Sequence, residues 1–207
     1  MAQPHQRLPL PARCTGAPSR LDRSLSPSLR RVGLRALGVM GLALSVGAVA
    51  ALCLPSPRRS ETEKVKVLEK MILDTREKLP DVAEISVEDL RRRLDAGEEI
   101  VLVDVRKPEE IAVSTLPDAI SREEFEHRRE ELQDRTIVTF CTVGLRSAYA
   151  ARELAEEGIE AINLSGSLLS WTHIGGELVD PEGVPTRRLH VYGRRWDLAA
   201  DGYITEW

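Results

Sequence analysis

Three short apolar runs restrict this chain more than any other feature: "IVLVDV" (100–105), "TIVTFC" (136–141) and "AINL" (161–164). A strand with one wet face alternates polar and apolar residues. These runs do not alternate, so both their faces must be covered. Helical segments separate them. "REEFEHRREELQ" lies between the first and second runs, and "LRSAYAARELAEEG", closed by Gly158, between the second and third. Upstream, Ser86 and Asp89 are spaced as a capping box for "VEDLRRRLDAG", with Gly97 as its C-cap. Downstream, "SLLSWTHIGG" reads as a last helical turn stopped by two glycines. Buried strands alternating with helices predict an α/β domain, a short parallel sheet with helices on both faces. With 207 residues the chain has room for one such domain and its appendages, and it shows no internal repeat.

Charge divides the chain. Residues 1–60 carry nine Arg and a single acid, a net of +8, whereas residues 61–207 carry twenty basic and thirty-two acidic residues, a net of −12. Residues 1–35 form an Arg-, Pro- and Ser-rich leader without periodicity, of the composition that stays disordered. Residues 36–54 are nineteen residues without a charge, followed by Pro55 and Pro57. As a helix they would reach about 28 Å, near the thickness of a bilayer's hydrocarbon. Three readings fit them: a transmembrane anchor, a signal cleaved near "AVA" (48–50), or part of an organelle-targeting leader. Seven Arg precede the span, a bias that places the body outside the cytoplasm. Residues 61–80 read as an amphipathic helix with Leu68, Ile72, Thr75 and Leu79 on one stripe, closed by Pro80, either a stalk between membrane and domain or the first helix of the domain. The acidic body has no basic stripe, which argues against nucleic acid as a partner.

Only one of the three cysteines, Cys141, lies in the body; Cys14 and Cys53 lie in the leader. The body therefore has neither an internal disulfide nor a Cys/His cluster for a metal. Cys141 ends an apolar strand, and Leu145 or Arg146 opens the next helix. Ligands of such sheets bind beyond the carboxyl ends of the strands. Gly144 gives the short connection its backbone freedom. Inward-facing N–H groups, together with the helix N-terminus, favour a thiolate there. Arg146 can hold an oxyanion or brace the loop, and Ser147 can cap a free N–H. The plain alternative is a packed, inert thiol.

At these residues the sequence resembles a known family. "CTVGLRS" is similar to the active-site loop C-x-x-G-x-R-S of rhodanese-like sulfurtransferases. "ISVEDLRRRLDAGEEIVLVDVRKPEE" resembles the start of a single rhodanese domain, including its D-V-R-x-P-E-E segment. "GIEAINLSGSLLSWTHIGGELV" resembles its last strand, glycine turn and tryptophan helix. The resemblance covers residues 82–180 and implies a rhodanese-like three-layer fold, with residues 181–207 as a C-terminal tail packing on the domain.

The resemblance further implies a sulfurtransferase. Cys141 is the nucleophile, and Thr142, Val143, Gly144, Leu145, Arg146 and Ser147 bind the substrate. A small sulfane-sulfur donor such as thiosulfate gives its outer sulfur to Cys141 as a persulfide. A thiol, cyanide or a protein sulfur acceptor then removes it. Four residues separate Cys141 from Arg146, where related dual-specificity phosphatases have five, so the loop suits sulfur rather than phosphate. "STLPDAI" (114–120) departs from the family's usual G-H-I-P-G-A: the His is missing and Asp118 stands in place of Gly. That loop borders the site in the family and bears on donor preference. A carrier that holds the persulfide with little thiosulfate turnover is the alternative function.

Other residues have plainer readings. Asp104 and Arg106 are supporting residues, with Arg106 and Glu109 or Glu110 forming ion pairs near the site. His173 is a helix C-terminal partner rather than a base, and Trp171 is core. Arg187, Arg188, Arg194 and Arg195 with Tyr192 and Trp196 have the composition of a nucleic-acid patch, but the acidic body favours a tail that packs its aromatics.

Overall fold

The computed structural model describes residues 59–207. Its main sheet is parallel throughout, in the order β1-β5-β4-β2-β3, with β1 (Glu84–Ile85), β2 (Ile100–Asp104), β3 (Ile120–Ser121), β4 (Thr136–Phe140) and β5 (Ala161–Leu164). The three apolar runs are the three central strands. The two edge strands have two residues each, too few to leave a periodicity.

Helices α1 (Glu61–Lys78), α2 (Val87–Asp95), α3 (Pro108–Ile111), α4 (Arg122–His127), α5 (Arg129–Leu132), α6 (Leu145–Glu156) and α7 (Ser167–His173) surround the sheet. Successive strand residues feed two separate cores. Leu102, Val138, Phe140 and Leu164 join Leu68, Leu90, Leu168 and Trp171 from α1, α2 and α7. Val103, Ile137 and Ala161 join Phe125, Leu132, Ala151 and Leu154 from α4, α5 and α6. This is the expected three-layer arrangement, produced by the period of two along each strand.

The tail crosses the first of these cores. An antiparallel pair, β6 (Leu178–Val179) with β7 (Pro185–Thr186), precedes a parallel pair, β8 (Arg188–His190) with β9 (Ile204–Glu206). Leu189, Val191, Leu198 and Ala199 are buried with Trp171. Tyr192 keeps 59% of its surface exposed, so not every tail aromatic packs on the domain.

Several sequence expectations change in detail. Helix α1, read as a stalk or as the first helix of the domain, packs on the domain: Leu68, Thr75 and Leu79 are buried, and Lys64 donates to the Ala199 carbonyl (2.9 Å) and pairs with Asp201 (2.9 Å). The segment read as one helix over 122–133 breaks into α4 and α5 at Arg128, where φ is −106° and ψ 15°. Ser86 accepts the Asp89 N–H, but the carboxylate of Asp89 turns to Arg92 (2.6 Å), so the box is half formed. His173 does end α7, and its ring joins the Leu198 carbonyl (2.9 Å) and Glu61 (3.4 Å), linking tail to α1. The leader (1–35) and the apolar span (36–54) lie outside the described residues. Among the described residues no helix is long and apolar enough to cross a membrane.

Candidate active site

Strand β4 ends with Phe140 fully buried, and Cys141 is the next residue, at the carboxyl edge of the sheet. The chain turns at Gly144, whose φ of +103° suits glycine, and α6 begins at Leu145. A Cβ at Gly144 would stand 3.1 Å from the Gly166 nitrogen, so the position also has little spare room. The loop is fastened to the start of α7. Leu168 N–H donates to the Cys141 carbonyl (3.2 Å) and Leu169 N–H to that of Thr142 (3.0 Å). The loop carbonyls thereby satisfy helix N-terminal donors that have no partner inside the helix. Cys141 N–H in turn donates to Ser167 Oγ (3.1 Å).

Cys141 is 1% exposed, but the immediate surroundings of its sulfur are polar. Gly144 N–H donates to Sγ (3.2 Å), and the Ser147 hydroxyl lies 3.5 Å away. Ser147 does not cap a backbone N–H. Its hydroxyl reaches Asn163 Oδ1 at 2.7 Å, shorter than its approach to sulfur.

Arg146 braces the loop. Its two terminal nitrogens donate to Glu110 at 2.6 and 2.8 Å, and one also donates to Thr142 Oγ1 (3.0 Å). Glu110 comes from α3, where Pro108 fixes the first turn, and it is 1% exposed. Burial alone would raise the Glu110 carboxyl, but the hydrogen bonds from Arg146 and the Lys107 N–H outweigh it and hold the group below its ordinary range. The Glu110 hydrogen bonds push the Arg146 guanidinium upward against burial, and attraction to Cys141 adds to them. The face of Arg146 lies 5.4 Å from the Tyr192 ring centroid, and His190 Nδ1 is 3.9 Å from Glu110. The tail thus reaches the flank of the loop.

Asp104 and Arg106 form a second, fully buried pair. Asp104 accepts the Arg106 backbone N–H (3.0 Å) and its guanidinium (2.7 Å). Arg106 also donates to the Ser114 carbonyl (2.5 Å), and Thr115 donates to Asp104 (2.8 Å). Arg106 therefore pairs with Asp104, not with Glu109 or Glu110. The pair fixes the 114–120 loop to the sheet edge and makes no hydrogen bond to the sulfur. Within that loop Asp118 adopts a φ of +58°, a left-handed conformation that Asp tolerates better than most residues.

Of the expected binding residues, Thr142, Gly144, Arg146 and Ser147 gather around Cys141. Val143 packs on the larger core, and Leu145 begins α6 half-buried. Sequence reasoning missed Asn163, Ser167, His190 and Tyr192, and assigned Glu110 no bond to Arg146. Glu110 had a signal in the P-E-E segment; the others come from distant parts of the chain.

A parallel α/β sheet with one cysteine in a glycine-turned loop at its carboxyl edge, braced by an arginine–carboxylate pair, defines a thiol-based group-transfer domain. The sequence model of the Rhodanese-like domain matches residues 86–174. A sulfurtransferase of Allochromatium vinosum is 38% identical over 106 residues, covering 49% of this chain and 99% of that protein. A putative sulfurtransferase of Bacillus subtilis is 33% identical over 94 residues, 44% of this chain and 91% of the relative. A solved rhodanese-related protein from Thermoplasma volcanium aligns with a TM-score of 0.41 and 26% identity, over 47% of this chain and 97% of its own. The chain belongs to the rhodanese-like domain family, and its relatives include sulfurtransferases.

Proposed function

We propose that the chain moves a sulfane sulfur from a donor such as thiosulfate to a thiophilic acceptor through a persulfide on Cys141. The observation that carries this reading is the N–H of Gly144 directed at Sγ in an otherwise closed loop (3.2 Å). The Cys141 thiolate attacks the outer sulfur of thiosulfate. A new S–S bond forms, the donor's S–S bond breaks, and sulfite leaves with the electron pair. The terminal sulfur of the persulfide carries the negative charge, and the polar floor of the loop stabilises it. An acceptor thiolate or cyanide then attacks that sulfur, and Cys141 leaves as a thiolate. Arg146, neutralised by Glu110, keeps the loop in shape throughout. The recessed sulfur favours narrow donors that present a terminal sulfur.

A thiosulfate:cyanide assay on the full chain, with Cys141→Ser beside it, tests the reading. Steady thiocyanate release by the wild type alone supports the enzyme. A stable persulfide without turnover supports the carrier. Identical behaviour of the two proteins refutes both. We also propose that residues 36–54 either hold the domain at a membrane, with the domain outside the cytoplasm, or are removed as part of an export signal or organelle-targeting leader. The N-terminal residue of the mature protein distinguishes these two.

A further inference from the structure

We propose that Tyr192, Arg194, Arg195 and Trp207 form a docking surface for a protein sulfur acceptor whose thiol sits beside an acidic patch. The inference rests on the sulfur-transfer reading above and names the partner class for that same site. Four observations carry it.

Cys141 is 1% exposed, so a protein thiol reaches it only on a protruding segment, and the affinity must come from surface around the entrance. The tail supplies such surface next to the loop. Tyr192 lies over Arg146 (5.4 Å); His190 pairs with Glu206; Val191 N–H donates to the Glu206 carbonyl (2.8 Å). That pairing brings Trp207, the residue after Glu206, alongside this stretch, and Arg194 stacks on Trp207 at 5.6 Å. Tyr192 thus borders the cysteine loop, with the Arg194–Trp207 pair and Arg195, which lies over Trp196 (5.6 Å), farther along the same tail.

Tyr192 has a φ of +66° and is 59% exposed, while Trp207 is 54% exposed. A left-handed φ is uncommon for a non-glycine residue, and the Tyr192 ring that it carries stays in water. Trp, Tyr and Arg are the residues that dominate binding energy at protein interfaces.

Charge selects the partner. Residues 61–207 carry a net charge of −12, yet Arg194 and Arg195 are exposed, and among the described residues no carboxylate pairs with either. Arg188 nearby is by contrast neutralised by Glu206 (2.5 Å). An acidic protein is repelled by the rest of the body and attracted here, which sets its orientation as well as its approach. A nucleic acid would also meet arginines and rings, but its long run of charge would have to lie along the acidic body.

The test uses the full chain, loaded with persulfide from thiosulfate, and three synthetic peptides. Each peptide has one cysteine, flanked by Glu, Ser or Lys. The rate of sulfur transfer to each is divided by that peptide's rate with a small disulfide, which removes differences in intrinsic thiol reactivity. At low salt the Glu peptide should exceed the Lys peptide by about tenfold, and the gap should close as salt rises. The double variant Arg194→Glu with Trp207→Ala should bring the Glu peptide down to the Ser peptide while transfer to dithiothreitol stays unchanged. Arg195→Glu alone should give an intermediate loss, and thermal melting checks that both variants fold. Equal rates for the three peptides, or a preference that survives the double variant, overturns the proposal. So does a variant that slows dithiothreitol equally, because the tail then merely supports the site. A single-stranded oligonucleotide that binds more tightly than the Glu peptide, and loses that binding in the variant, overturns it in favour of nucleic acid. If no persulfide forms, the sulfur-transfer reading fails by itself. Fluorescence anisotropy of the labelled Glu peptide on the unloaded chain then still decides whether the surface binds.

Discussion

Replacing Glu110 by Gln leaves the size of the side chain nearly unchanged and removes only its charge. Glu110 is 1% exposed and holds Arg146 through two hydrogen bonds of 2.6 and 2.8 Å. Breaking a fully buried ion pair from one side costs about 3–5 kcal/mol. The Arg146 side chain is 34% exposed, so water recovers part of that loss. About 2 kcal/mol remains, which lowers the melting temperature of a unit this size by about 4–8 °C. Arg146 also loses its orientation, and small displacements in a reacting site can slow it by about 10- to 100-fold. Circular dichroism measures the first effect and the rate of persulfide formation the second. A cycle with Arg146→Met should be non-additive by about 1–2 kcal/mol, as expected for groups in contact. The pH dependence has a definite sign. Glu110 is held below its ordinary range, so its stabilisation is complete at neutral pH and disappears as the pH falls through the lowered native value. The difference in melting temperature between wild type and Glu110→Gln should therefore shrink as the pH is taken below the ordinary carboxylate range. A variant that melts with the wild type at pH 7, or a gap that does not change with pH, refutes the reasoning.

Three further substitutions probe the packing of the domain and the turn beside the sulfur. Asp104→Asn leaves Arg106 buried without its counter-ion and should cost about 3–5 kcal/mol, read as a lower urea midpoint at unchanged slope. Gly144→Ala forces a side chain into a φ of +103° and to 3.1 Å from the Gly166 nitrogen, moving the N–H away from Sγ. It should lose about 1–3 kcal/mol and change the thiol's rate with a small disulfide reagent. Gly176→Ala puts a Cβ into the Trp171 ring, whose N–H donates to the Glu177 carbonyl (2.9 Å). The ring must shift at a cost of about 1–3 kcal/mol, visible as altered tryptophan fluorescence.

The central sheet was legible because a strand covered on both faces must be apolar throughout, and "IVLVD", "TIVTF" and "AINL" are nearly so. Helix α6 was legible for the matching reason: an amphipathic run opened after Gly144 and closed at Gly158. The cysteine loop was legible because its residues are contiguous. Glu110 was half legible. A carboxylate is expected in water, and its neighbour Glu109 is exposed, yet one helical step turns Glu110 inward to Arg146. Asn163 and Ser167 contact the site from a strand and a helix that merely look like core and cap. Tyr192 and His190 arrive through β8 and its pairing with β9, and no local pattern announces a tail returning to a loop some 50 residues earlier in the chain. Between a stalk and a first domain helix the pattern of 61–80 could not choose, because Lys64 looks solvated in the sequence, whereas its ammonium finds the Ala199 carbonyl and Asp201.

Intact mass of the full chain after brief exposure to thiosulfate tests the account most directly. Wild type should gain about 32 Da, one sulfur atom, on the peptide that contains Cys141, and a thiol should remove it. Cys141→Ser should gain nothing. An unmodified Cys141 under conditions where small thiols are sulfurated, or the same mass gain in the serine variant, contradicts it.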